Sequence, residues 1–231
     1  MKARFGKSPL IVGCIASEAM LRRCARRPPA DCDMLEVRLD LTGLCNGKWA
    51  RLCAAIEAKG KPVLLTIRDE SEGGAWKGRE AERLALYLTG LHSVSVVDLE
   101  IGARALELLA QTAHRHGVKV VGSFHDFSGT PDAARLATVE NRGRRLGVDV
   151  VKIATLVKTP RDLAQLLALP AAAKGPFCAL GMGELGAVSR VILPCAGSCL
   201  VYGSLGVATA PGQLTCRQLA KELDRWGARK Q

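Results

Sequence analysis

The sequence predicts an α/β fold: a (β/α)8 TIM barrel forming a single domain over residues 1–231. Three observations predict it. Eight short apolar runs, many rich in β-branched residues, recur about every 24 to 31 residues. Segments with apolar residues spaced near 3.6 separate them, which is the pattern of a parallel sheet covered by helices. An eight-fold count in a chain of this size fits a closed barrel. The rival, an open doubly wound sheet, would carry GxGxxG after its first strand, and this chain does not.

The first run, LIVGCIA (10–16), follows a basic N-terminus, and together they superficially resemble a secretory signal. The apolar stretch is only about seven residues long and turns directly into an amphipathic segment. It therefore reads as the first strand and helix, and the lack of a targeting signal points to the cytoplasm. Ser17 is placed to cap that helix and Pro28 follows it, so RRCARR (22–27) forms its last turn, where the helix dipole favours cations. MLEVRLDL (34–41) and PVLLTIRD (62–69) are the next two strands. The helix AERLALYLTGL (81–91) leads to the fourth strand, SVSVVDLEI (93–101). ARALELLAQTAHRHG (103–117) ends in His and Gly, as a helix C-terminus should, before KVVGSFHD (119–126). VDVVKIATL (148–156) is the sixth strand. TPRDLAQLLALP (159–170) opens with a Thr cap and a Pro in the first turn. PFCALGM (176–182) and LVYGSL (200–205) complete the eight.

Composition narrows the function classes. No apolar stretch approaches the ~18 residues of a membrane span. The net charge of +11 raises the question of nucleic acid, but the basic residues are scattered and no aromatics interleave with them. A solvated basic face, suited to steering a small anionic substrate, accounts for that charge without nucleic acid. The nine cysteines are odd in number, irregularly spaced and without CxxC. Cys195 and Cys199 can share a helix face, but no His or second Cys pair lies near them in sequence, so no metal is expected. Free thiols acting as small hydrophobes fit a reducing compartment.

The charges fall in a pattern. Each strand begins apolar, and five consecutive strands turn polar toward the C-terminal end. The second carries Glu36, Arg38 and Asp40 on one face; the third ends at Arg68; the fourth carries Asp98 and Glu100; the fifth ends in His125-Asp126; the sixth contains Lys152. The C-terminal rim is where catalytic groups of a (β/α)8 barrel project. A structural ion pair explains one such charge, but each imperfectly paired buried charge costs roughly several kcal/mol, and five strands share the trait. Lys152 is the sharpest case: desolvation and nearby cations such as Arg38 and Arg68 favour a neutral amine, able to attack a carbonyl. The alternative is a lysine paired with Glu36 or Glu100. His125 suits a proton shuttle, whereas His92, His114 and His116 sit at element ends and read as exposed. A Lys, a His and several Arg on one rim suggest imine chemistry on an anionic carbonyl compound.

These motifs, in this order, resemble those of the type I 3-dehydroquinate dehydratase family. They are EVRLD (36–40), TIR with EGG after it (66–68 and 72–74), SFHDF with TP following (123–131), VKIAT (151–155), MGxxGxxSR (182–190) and APGQ (210–213). The resemblance implies a barrel that needs no metal or cofactor and acts on 3-dehydroquinate in the shikimate pathway as a homodimer. Lys152 would form an imine with the substrate, His125 would act as general base and acid, and Glu72 would orient the histidine. Glu36, Arg38 and Arg68 correspond to groups holding the ring hydroxyls, and Arg190 to the carboxylate clamp. Thr209 and Gln213 correspond to a loop after strand eight that resembles a closing lid. Phe127 and Met182 correspond to apolar walls, a role that core filling explains equally well. Thr209 departs from the family's usual Ser, and the segment before the first strand is short. Two other classes fit parts of the pattern. A class I aldolase would share the lysine but need a phosphate site near strands seven and eight; a basic binding protein would have no need of Lys152.

Overall fold

The computed structural model describes residues 5–6, 8–44, 46–206 and 214–229. Strands and helices alternate in the order β1 (Leu10–Ile15), α1 (Glu18–Arg26), β2 (Met34–Arg38), α2 (Leu39–Thr42), α3 (Lys48–Glu57), β3 (Val63–Thr66) and α4 (Glu80–Gly90). They continue with β4 (Val96–Glu100), α5 (Leu106–Arg115), β5 (Lys119–Asp126), α6 (Ala133–Arg145), β6 (Val150–Leu156), α7 (Pro160–Ala172), β7 (Phe177–Met182), α8 (Ser189–Cys195), β8 (Leu200–Ser204) and α9 (Cys216–Arg225). A short 3-10 turn, Glu70–Glu72, lies between β3 and α4. All paired strands run parallel, in the order β7-β6-β5-β4-β3-β2-β1-β8.

The predicted (β/α)8 barrel is thus present and nearly closed. Where β8 meets β7, one backbone bond, Cys199 N–H to the Phe177 carbonyl at 2.8 Å, replaces a full ladder. Two serine hydroxyls serve the neighbouring amides of β7: Ser198 accepts from Ala179 and Ser189 from Gly181, each at 3.0 Å.

The helices begin and end where their chemistry directs. Ser17 accepts a bond from the Met20 amide at the start of α1. Thr159 forms a capping box with Asp162, with Pro160 in the first turn of α7. The chain leaves α5 at Gly117, whose φ of 71° suits a residue without Cβ. Most strands are a residue or more shorter than their apolar runs. In the second the cause is plain: its run extends to residue 41, but the chain bends into α2 after Arg38. Arg38 reaches two residues ahead to Asp40, Thr42 Oγ1 donates to the Leu39 carbonyl, and Gly43 ends the turn.

Two cores flank the sheet. The larger lies between strands and helices. The smaller fills the barrel, where Val12, Met34, Leu64, Val96, Val121 and Val150 form a buried apolar tier, with Phe5 packed against the cluster. Period-two alternation brings the next inward positions two residues along: Cys14, Glu36, Thr66, Asp98, Ser123 and Lys152. Another step yields Arg38, Arg68, Glu100 and His125. An apolar plug therefore supports a polar tier, and the rim of the barrel lies above it.

Candidate active site

Lys152 is 4% exposed, and its ammonium donates to Asp98 Oδ2 at 2.9 Å. The partner is therefore neither Glu36 nor Glu100. Alternation along one strand identifies the inward residues but not which of them meet across the barrel. Asp98 is a fully buried carboxylate that also accepts from Arg68 at 2.8 Å and Ser123 at 2.6 Å. Burial alone would raise its pKa; Arg68 and Lys152 outweigh that and hold it well below the usual carboxylate range. The Lys152 ammonium also lies over the Tyr202 ring, 4.4 Å from its centroid.

Arg68 is just as buried, and its donors are committed. One terminal nitrogen serves Asp98, and the other serves Glu100 at 2.8 Å and Ser123 at 2.6 Å. Glu100 in turn accepts from Arg83 of α4 at 2.7 Å, and Arg83 pairs outward with Glu80. A ladder of alternating charge thus runs from Lys152 to the helical layer, so that every buried charge in it has an opposite partner, as burial requires.

Ser123 is the register partner of Lys152, so His125 stands one inward position nearer the rim on the adjacent strand. Its Nδ1 and its backbone N–H both meet Glu72 Oε2 at 2.9 Å. A carboxylate on Nδ1 leaves Nε2 with its lone pair free for proton transfer. Burial, then the charges of Arg68 and Lys152, push the His125 pKa well below its ordinary value and favour the neutral ring. Burial also pushes Glu72 up to about 7, against the opposing pull of Arg68.

The EGG motif explains how Glu72 is held. Gly73 has φ 76°, and a Cβ there would lie 2.3 Å from the Phe127 ring; a Cβ on Gly74 would lie 1.9 Å from the Arg68 carbonyl oxygen. Only glycines let the turn fold this closely against β5 and the end of β3. Phe127 also stacks on His125, with centroids 6.4 Å apart, while remaining 54% exposed.

Glu36 is buried, accepting from Thr66 at 2.9 Å and from Cys14 Sγ at 2.6 Å. Arg38 is clamped by both carboxylate oxygens of Asp40, at 3.0 and 2.7 Å. Asp40 also accepts from the Ala75 amide, tying the EGG loop to α2. Arg190 projects from α8 and donates to the Tyr202 carbonyl at 3.1 Å. Among the described residues it has no acidic partner, and burial lowers its pKa from the ordinary guanidinium value. The buried Tyr202 hydroxyl has no hydrogen-bond partner among the described residues either. Met182 is half-buried against the inner core. Thr209 and Gln213 lie outside the described residues.

The structure thus brings Lys152, His125, Glu72, Glu36, Arg38 and Arg68 to one end of the barrel, with Arg190 on the β8 side. Asp98, Cys14 and Tyr202 were not singled out as site residues by sequence. Asp98 was visible as an inward charge; the other two look like ordinary strand residues. The pre-organised set comprises an amine on a fixed anion, an imidazole whose pKa is held low with a carboxylate behind it, and a guanidinium with no acidic partner among the described residues. It suits covalent attack on a carbonyl with proton transfer beside it.

A family profile described as Type I 3-dehydroquinase matches residues 12–228. A protein named 3-dehydroquinate dehydratase from Methanosarcina barkeri is 38% identical over 205 residues, covering 83% of this chain and 84% of that one. Its namesake from Methanococcoides burtonii is 32% identical and covers 94% of both. Among solved structures, the 3-dehydroquinate dehydratase of Geobacillus kaustophilus superposes with a TM-score of 0.86 at 25% identity, covering 98% of this chain and 94% of its own. The type I enzyme of Clostridium difficile, described with covalently modified comenic acid, superposes with a TM-score of 0.87 at 26% identity, covering 96% and 93%.

Proposed function

The chain belongs to the type I 3-dehydroquinase family, whose reaction is the dehydration of 3-dehydroquinate by a hydro-lyase, and from that premise we propose the mechanism and the residues that carry it. Lys152 sheds its proton, attacks the C3 ketone of 3-dehydroquinate and, with loss of water, forms an imine. The protonated imine draws electrons from the adjacent C2–H bond. His125 takes that proton through Nε2, leaving an enamine. The imidazolium then protonates the C1 hydroxyl, which departs as water. A final water hydrolyses the imine, returning the lysine amine and releasing 3-dehydroshikimate. One water is lost overall.

The observation that carries this reading is the buried Lys152–Asp98 pair with a neutral His125 one position above it. Asp98 fixes the amine's position before substrate arrives. Glu72 orients the imidazole and supports its positive charge between the two proton transfers. Arg190 is the group in this set whose charge awaits an anion, so it receives the substrate carboxylate. Glu36, Arg38 and Arg68 set the polar wall for the ring hydroxyls; Arg68, with its terminal nitrogens already engaged, acts mainly by holding Asp98 and Glu100. Thr209 and Gln213 remain in the reading as substrate contacts from the loop after β8. The substrate places the chain in the shikimate pathway, and we propose a homodimer in the cytoplasm. Among the described residues, no helix is long and apolar enough to cross a membrane.

Incubation with 3-dehydroquinate and borohydride tests the covalent step. Reduction traps the adduct on Lys152, which blocks tryptic cleavage there and yields a modified peptide spanning 146–158. Robust turnover with unmodified Lys152 would sink the imine mechanism.

A further inference from the structure

Gly13 of β1 and Gly203 of β8 are register partners in the barrel wall. Their neighbours Val12, Cys14 and Tyr202 belong to the inner face, so alternation turns the two glycines toward the helices. The absent side chains leave a hollow that Leu205, Leu219 and two thiols share. A Cβ on Gly13 would lie 3.3 Å from Cys32 Sγ, and one on Gly203 would lie 3.0 Å from Cys216 Sγ. Cys32 lies in the connection between α1 and β2, and Cys216 is the first residue of α9; both are 2% exposed. The two thiols are close enough to shift each other's protonation, and their sequence neighbours Asp31 and Arg217 pair across the same junction at 3.5 Å.

We propose that Cys32 and Cys216 form an oxidisable pair, which peroxide converts into a disulfide joining the connection before β2 to the start of α9. The interaction between the thiols lowers the Cys32 pKa and raises that of Cys216, which makes Cys32 the attacking sulfur and Cys216 the resolving one. Hydrogen peroxide is small enough to reach thiols at this depth. The Cys32 sulfur attacks one peroxide oxygen and the O–O bond breaks. The departing hydroxide takes up the Cys32 proton as water, leaving Cys32 as a sulfenic acid. The Cys216 sulfur then attacks that of Cys32; the S–O bond breaks, and the hydroxide leaves with the Cys216 proton as a second water. Two thiols are oxidised and one peroxide is reduced to two waters.

The full-length protein, still folded, is treated with hydrogen peroxide, alkylated and digested with trypsin without reductant. The pair predicts a cross-linked product of peptides 27–38 and 191–217, with fragmentation placing the second link on Cys216 rather than Cys195 or Cys199. It also predicts a rise in Tm of roughly 5–10 °C, because the bridge constrains a long loop of the unfolded chain. Dithiothreitol should reverse both. A Cys32→Ala variant, checked for native circular dichroism, loses the cross-link and the rise. If that variant does not fold, the wild-type peptide map decides alone. Alkylation of both thiols after peroxide, a link elsewhere, or a link formed only in denaturant overturns the proposal.

Discussion

Along the arc from β3 to β6, the inward charges are matched within the protein; on the arc of β8 and α8, a guanidinium has no acid and a phenol has no partner among the described residues. The same barrel treats its polar groups in two ways. The first arc holds its reactive groups still, since Asp98, Arg68 and Glu100 leave the lysine and histidine little freedom. The second leaves hydrogen-bonding capacity unspent, which is what a site needs if an incoming anion is to be recognised. One side is built for chemistry and the other for capture.

Substitutions that separate the two arcs test this division, and the largest effects belong to the matched one. Lys152→Ala should lower kcat by about 10⁴-fold or more while circular dichroism stays native, because Asp98 keeps Arg68 and Ser123 as partners. An active variant would remove the covalent role. His125→Ala should slow elimination by about 10²–10⁴-fold yet still permit imine trapping by borohydride; unimpaired elimination would assign the proton shuttle elsewhere. On the capture side, Arg190→Ala should raise KM by about 100-fold and change kcat much less. An unchanged KM would erase the proposed difference between the arcs.

Glu72→Gln sharpens the comparison through pH. With Glu72 pushed up to about 7, kcat/KM should fall as pH drops through that value, because the protonated acid no longer supports the imidazolium. The variant should lose this limb, retaining only the decline at lower pH where His125 itself protonates. Stability carries the opposite sign. As pH rises from 4.5 toward 7, the unfolded carboxylate releases its proton before the folded one does. Glu72 therefore lowers stability across that window, and the variant should show the higher Tm at neutral pH. Tyr202→Phe is the smallest test: kcat/KM should fall about three- to ten-fold if the hydroxyl meets substrate. Unchanged kinetics with a raised Tm would show only an unsatisfied phenol.

Sequence made the matched arc more legible than the other. Lys152 and His125 stand out because a charge inside a β-branched run has few explanations, and period-two spacing turns both inward. Asp98 as the lysine's partner was not legible, since meetings across a barrel depend on stagger between strands rather than on order within one. Arg190 could be found only through its motif: it projects from a helix, where strand alternation says nothing. Cys14 and Tyr202 carry polar atoms into the interior on residue types that ordinarily fill cores. The glycines of EGG were visible as a motif, but their reason is tertiary. Phe127 and the Arg68 carbonyl occupy the space a side chain would need.

The sparse joint between β7 and β8 has a mechanical consequence. A ring yields at its weakest joint, and here opening breaks one backbone bond and the side-chain bonds of Ser198 and Cys178 instead of a ladder. Arg190 bridges the same sector by holding the Tyr202 carbonyl from α8. The barrel's compliance is therefore concentrated beside the guanidinium proposed to grip the substrate and only one strand from Lys152, so the Asp98 carboxylate, anchored across the barrel on β4, is what keeps the amine in place.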